Sequence, residues 1–188
     1  MKPSKKDSYT LLGVDPGTNI LGYAILQVNG KKLHVPDMGV ISMTHLSDHQ
    51  YKLKRIFERL QSIIKTYQPR EMAVEAPFYG KNVQSMLKLG RAQGVAIAAA
   101  ITNNVEVTEY APKRIKQAVT GSGNASKEQV AAMLENILHV KFDTKFLDAS
   151  DALGAALCHY YQASSVLKGQ KRYSDWGAFL KDNPGKAK

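Results

Sequence analysis

Tyr9-Thr10-Leu11-Leu12-Gly13-Val14-Asp15-Pro16-Gly17 is an apolar run cut off by a turn, and the rest of the fold hangs from it. A short apolar segment bounded by turn residues is a buried strand. Pro-Gly ends it, because proline has no N–H for the ladder and glycine tolerates turn dihedrals. Asp15 therefore stands at a strand end. Working outward, Leu21-Gly22-Tyr23-Ala24-Ile25-Leu26-Gln27-Val28, then Asn29-Gly30, then Lys32 to His34 predict a hairpin, since Asn-Gly supplies the positive φ of a tight turn. Met38 to Met43 extends the third strand.

Further along, Leu53, Ile56, Phe57, Leu60, Ile63 and Ile64 recur at helical spacing between Leu46 and Tyr67, with Pro69 after them. This pattern predicts an amphipathic helix packed on a sheet. Met72-Ala73-Val74 reads as a short strand ending at Glu75, because Ala76-Pro77 breaks it. A second helix is expected from Asn82 to Asn103, with Val95 to Ile101 apolar enough to be buried all round. Val105 to Tyr110 is a strand, and Pro112 opens a short helix to about Thr120. Ser126-Lys127-Glu128-Gln129 starts another that reaches Leu138, and a last helix begins near Asp148 and passes Tyr161. The order βββαβαβα, antiparallel strands first, is a layered α/β domain.

A chain of 188 residues, 44% hydrophobic and 22% charged, is of globular composition and sized for one main core. We expect a domain over 1–166 and a linker-like basic tail over 167–188. Lys and Arg total 26 against 16 acids, a net charge of +10, which calls for a polyanionic partner. Nucleic acid leads over an anionic membrane, because the single tryptophan, Trp176, is not set on a basic amphipathic helix. No apolar stretch approaches the roughly 20 residues of a membrane-spanning helix. The start, Met1-Lys2-Pro3-Ser4-Lys5-Lys6-Asp7, lacks the apolar core of a signal peptide. A cytoplasmic protein is the expectation. The single cysteine, Cys158, can form neither an internal disulfide nor a thiolate zinc site, in keeping with a reducing compartment.

Four acids stand where apolar elements end: Asp15, Glu75, and Asp148 with Asp151, which at i and i+3 share a helix face. Singly, each has a structural reading: a turn former before Pro-Gly, a solvated strand terminus, and a helix cap with a second acid in the first turn. Taken together, acids from separate strand ends can converge, and a cluster of like charges is costly unless cations neutralise it. Oxygen-only ligands suit Mg²⁺ or Mn²⁺, and two such ions about 4 Å apart can clamp both oxygens of a phosphodiester displacement. A basic chain with such a cluster has the parts of a metal-dependent nuclease.

Five stretches carry a resemblance: Gly13-Val14-Asp15-Pro16-Gly17-Thr18 with Gly22-Tyr23; Val74-Glu75-Ala76-Pro77-Phe78; Lys81-Asn82; Leu87-Lys88-Leu89-Gly90-Arg91-Ala92-Gln93-Gly94-Val95-Ala96; and Asp148-Ala149-Ser150-Asp151-Ala152-Leu153. In order and spacing, over about residues 9 to 163, they resemble the RuvC family of Holliday junction resolvases. The resemblance implies a ribonuclease H-like fold, a five-stranded mixed sheet flanked by helices. It also implies a homodimer that nicks opposing strands of a four-way DNA junction, two Mg²⁺ per subunit with Mn²⁺ as a substitute, and the branch-migration proteins RuvA and RuvB as partners. Carried over by position, Asp15, Glu75, Asp148 and Asp151 match the family's metal-binding catalytic acids. Asp148 stands where some members have histidine. Phe78 matches an aromatic inserted at the junction, and Lys116 and Lys127 match basic residues near the scissile phosphate. Ala76 departs from the family pattern, as does the tail beyond Ser164.

Other features carry less. Gly121-Ser122-Gly123 lacks the lysine and spacing of a phosphate loop and reads as a flexible connection. His45 and His49, at i and i+4, lack a third ligand and read as surface residues. Cys158 and His159 read as packing residues of the last helix. Asp15-Pro16-Gly17-Thr18 also resembles the first phosphate loop of actin-like nucleotide-binding phosphotransferases, but 188 residues hold no second such loop. A non-catalytic junction-binding protein is the third possibility, and the four acids speak against it.

Overall fold

A computed structural model of the chain describes residues 8–77, 82–142 and 147–167. Its strands are β1 (Ser8–Asp15), β2 (Ile20–Asn29), β3 (Lys32–Ser42), β4 (Glu71–Glu75) and β5 (Glu106–Tyr110). Its helices are α1 (His49–Tyr67), α2 (Val83–Ile101), α3 (Pro112–Thr120), α4 (Lys127–Leu138) and α5 (Leu147–Leu167). The strands form one sheet in the order β3-β2-β1-β4-β5. Strand β2 runs antiparallel to both of its neighbours, β1 and β3, while β4 pairs parallel to β1 and β5 parallel to β4. Gly30, at φ 63°, sits in the turn of the predicted Asn-Gly hairpin, where a β-carbon would be strained.

Period-two alternation splits the core into two halves. Leu12, Val14, Met72 and Val74 face α1 and α2, packing on Ile56, Leu60, Ala92 and Ala96. Leu11, Ala24 and Leu26 face the other side, where α5 lies on the sheet through Ala152, Leu153, Ala156 and Leu157, with α4 outside it. Because β1, β3, β4 and β5 point the same way, α1, α2 and α3 all start from one end of the sheet. Helices α4 and α5 start there too, as the pairing of Lys127 with Asp151 requires. The positive ends of five helix dipoles therefore face that end.

Three expectations change. The first helix begins at His49 rather than Leu46, because the Asp48 carboxylate accepts from the Gln50 N–H at 2.7 Å and fixes the cap there. His45 thus precedes the helix, and the two histidines share no helix face. His49 is half-buried rather than a surface residue. In α2, Val95 to Ile101 is not buried all round: Ala98 and Ile101 are exposed, since the sheet and α1 cover only the side carrying Ala92, Ala96, Ala99 and Ala100.

Candidate active site

Asp15 is the last residue of β1, and Glu75 ends β4 beside it, one step beyond the Val14 to Val74 pair of the parallel ladder. Both follow the alternation that sends Leu11 and Gly13 toward α5. Two glycines let that helix approach. A β-carbon on Gly22 would lie 2.0 Å from the Asp148 carbonyl oxygen, and one on Gly13 would lie 1.9 Å from that of Ala152. Only residues without a side chain permit this contact, which sets the first turns of α5 directly on the backbone of β1 and β2.

The consequence is that Asp15, Asp148 and Asp151 each offer a carboxylate oxygen within 4.8 Å of the others. Glu75 stands outside that trio but within its field. Burial first, then the charges of Glu75 and Asp151, push the Asp15 carboxyl up to about 8. Burial and the charge of Asp151 push Glu75 to about 7. Two carboxyls that resist ionising near neutrality mark a place short of positive charge.

Among the described residues, one ammonium reaches the cluster directly. Lys127 is the first residue of α4, held in place by a capping box in which Ser126 and Gln129 satisfy each other's backbone N–H groups. Its Nζ donates to Asp151 Oδ2 at 2.6 Å. Burial opposes the charge on Lys127, but the hydrogen bond and attraction of Asp151, with Asp15 and Asp148 behind it, outweigh that and raise its pKa. Lys116 is placed differently: its Nζ donates to the Ala125 carbonyl at 2.8 Å, bracing the connection before α4, while its charge still reaches Glu75.

A cleft of about 190 Å³ opens at the cluster, lined by Asp15, Pro16, Glu75, Pro77, Leu89 and Gln93. Gln93, nearly buried in α2, donates to Glu109 at 2.6 Å and so ties α2 to the edge strand beside the cleft. The oxygen-only donor set suits a hard divalent cation, whose charge would offset the crowding of carboxylates that raises the Asp15 and Glu75 pKa values. Phe78 and Lys81 lie outside the described residues. Of the sequence-derived residues that are described, the four acids and Lys127 come together, and Lys116 stands at their edge. Gly13 and Gly22 were not singled out for a role, although both sit on α5-facing positions of an apolar strand, which is a readable signal of close approach.

A mixed sheet with carboxylates gathered at the end of its central strands, and a helix laid across them, defines the ribonuclease H-like class. Within that class the match is specific. The family model for "Crossover junction endodeoxyribonuclease RuvC" matches residues 11–159. The protein of that name from Cytophaga hutchinsonii is 58% identical over 178 residues, covering 95% of this chain and 88% of the relative. That from Bacteroides fragilis is 52% identical over 180 residues, covering 95% of each. Among solved structures, T. thermophilus RuvC in complex with a Holliday junction substrate superposes with a TM-score of 0.76 at 31% identity, covering 82% of this chain and 94% of that one. The chain belongs to the RuvC family of crossover junction endodeoxyribonucleases.

Proposed function

We propose that this chain resolves four-way DNA junctions by paired symmetric nicks, using Asp15, Glu75, Asp148 and Asp151 to hold divalent cations. The observation that carries this reading is the convergence of four acids at one sheet end with Lys127 as the only protein cation in direct contact, among the described residues. Mg²⁺, or Mn²⁺ in its place, at two ions per subunit, would supply the charge that activates a water and stabilises the phosphate oxygens in phosphodiester hydrolysis. The chain's own residues supply the rest. The acids fix where cations sit. Gly13 and Gly22 set the spacing between the acids of β1 and those of α5. Lys127, on a capped helix end beside the acids, is placed to meet a phosphate, and Lys116 backs it. Phe78 is assigned base stacking at the junction, worth about 1–3 kcal/mol.

A junction with two-fold symmetry asks for a two-fold enzyme, and α2 supports one. Val83, Leu87, Gly90, Gly94, Ala98 and Ile101 form a single exposed apolar stripe, with open space over both glycines. A second copy of this chain laid along the stripe would bury it as a C₂ homodimer; a monomer by sedimentation, free and on the junction, would overturn that. The nuclease unit is taken as 1–166, with the tail from 167 a separate basic segment. The setting is taken as cytoplasmic; among the described residues no helix is long and apolar enough to cross a membrane. RuvA and RuvB are assigned as partners on the junction, which co-sedimentation on junction DNA checks.

The deciding experiment incubates the protein with an end-labelled four-way junction, with and without Mg²⁺. Paired nicks at symmetric positions, directly sealed by ligase, are expected only with the metal. A junction left intact with Mg²⁺ or Mn²⁺ present would refute the assignment, and binding of labelled ATP instead would favour the phosphotransferase alternative.

A further inference from the structure

We propose that Lys52, Lys88 and Arg91 form a second phosphate-binding surface, on the opposite face of the sheet from Lys116 and Lys127, so that a DNA strand reaching the carboxylates is gripped on both sides. This rests on the junction-cutting reading above and adds to it a path for the DNA.

Lys52 comes from the first turn of α1, and Lys88 and Arg91 from the middle of α2, so nothing in the sequence order announces the cluster. His49 is what reports it. Its Nε2 is buried and unpartnered among the described residues. Burial, then the positive charges of Arg91, Lys88 and Lys52, hold its imidazole pKa below the ordinary value, with Asp48 opposing. Three cations from two helices therefore stand close enough to one histidine to weaken its hold on a proton.

The cations are unmatched. Among the described residues none of the three has a carboxylate oxygen within the 4.0 Å of an ion pair. Lys88 and Arg91 are exposed. Lys52 Nζ instead donates to Asn19 Oδ1 at 2.6 Å, on the turn that follows Asp15, which ties this surface to the carboxylate end. Leu89, between Lys88 and Arg91 in sequence, lines the same cleft as Asp15 and Glu75. The one carboxylate at this end of α1, Asp48, is engaged in capping the helix through the Gln50 N–H. Like charges grouped without counter-charge repel, and a phosphate backbone is the polyanion that answers them. Since Lys127 and Lys116 project from the α3–α4 side, the acids lie between two basic banks.

The test measures binding of the full chain to a labelled four-way junction against salt concentration, in Ca²⁺ to suppress cutting. Lys52→Gln, Lys88→Gln and Arg91→Gln are made singly and together, with melting and sedimentation run on each. Each substitution should lower the slope of log affinity against log salt by roughly one unit, and the triple variant by roughly three. Lys65→Gln, about 20 Å along the same helix from Lys52 and thus beyond a Debye length, should leave the slope unchanged. An unchanged slope in a folded triple variant would overturn the proposal. So would a triple variant that turns monomeric while its slope per bound copy stays normal, since the cations would then serve contact between copies. A wild-type protein that binds the junction but fails to nick it in Mg²⁺ would strike the resolvase reading, and the salt slopes would still decide this surface.

Discussion

Strand β4 carries two glutamates four residues apart on the same face, and the fold treats them in opposite ways. Glu71, at its start, is answered within the protein: Arg70 Nε lies 2.8 Å from one carboxylate oxygen and His159 Nε2 2.5 Å from the other. The Tyr110 hydroxyl is hydrogen-bonded to the far side of that imidazole at 2.8 Å, and Arg70 also covers the Tyr9 ring. Glu75, about 13 Å further on, has no such partner among the described residues and stands at the edge of the aspartate cluster. Among the described residues the protein completes its charges where they hold α5 to the sheet, and leaves them incomplete at the carboxylate cluster that could hold a cation. An acid's local partners, rather than its position at a strand end, separate the structural kind from the candidate ligand.

The largest test of this contrast is loss of chemistry. Asp15→Asn, Glu75→Gln, Asp148→Asn and Asp151→Asn should each slow cleavage by three orders of magnitude or more, about 4 kcal/mol, while junction affinity stays within a few-fold, because affinity comes from lysine and arginine contacts. Single-turnover cleavage beside fluorescence anisotropy measures both. Normal nicking in two or more of these variants would remove the cluster from the reaction.

At the other end of the strand the effect should fall on stability instead. Glu71→Gln leaves His159 and Arg70 without their anion and removes charged hydrogen bonds worth about 1.5–3 kcal/mol. In a domain of this size that lowers Tm by roughly 3–12 °C. Cleavage per folded molecule should be unchanged at 25 °C. A Glu71→Gln protein that melts normally but no longer cuts would break the contrast.

How far the sequence foresaw this differs between the two ends. The strand order of the hairpin, the strand-end acids and the i, i+3 pair on α5 are local patterns, and they were legible as spacing and turn chemistry. The network around Glu71 was not. It joins Arg70 and Glu71 to Tyr110 and to His159, which reads as a packing residue of an alanine-rich helix, and only the seating of α5 on the sheet brings them together. The exposure of Ala98 and Ile101 was missed for a related reason. An apolar run of alanine and branched residues looks the same whether a core or a second molecule covers it.

The smallest effect is also the one whose sign is most exposed to failure. In the unfolded chain Asp15 and Glu75 lose their protons near the ordinary carboxyl range, whereas in the folded, metal-free protein they hold them to about 8 and about 7. Between those limits the folded state binds more protons, so the stability they contribute is complete in acid and is lost as pH rises through 7 to 8. Asp15→Asn, which cannot ionise, should therefore melt level with the wild type near pH 4 and above it at pH 8.5, both without metal. A divalent cation takes the ionised carboxylates, so its binding must expel protons. Calorimetric titration with Ca²⁺ at pH 7, in two buffers of different ionisation enthalpy, should show net proton release in the wild type, less in Asp15→Asn, and apparent affinity rising from pH 6 to 8.5. Glu71→Gln should release as many protons as the wild type, since residue 71 lies about 13 Å from Glu75 at the far end of β4 and outside the cluster that would take the cation. Proton release that followed Glu71 rather than Asp15 would reverse the assignment of the two ends of the strand.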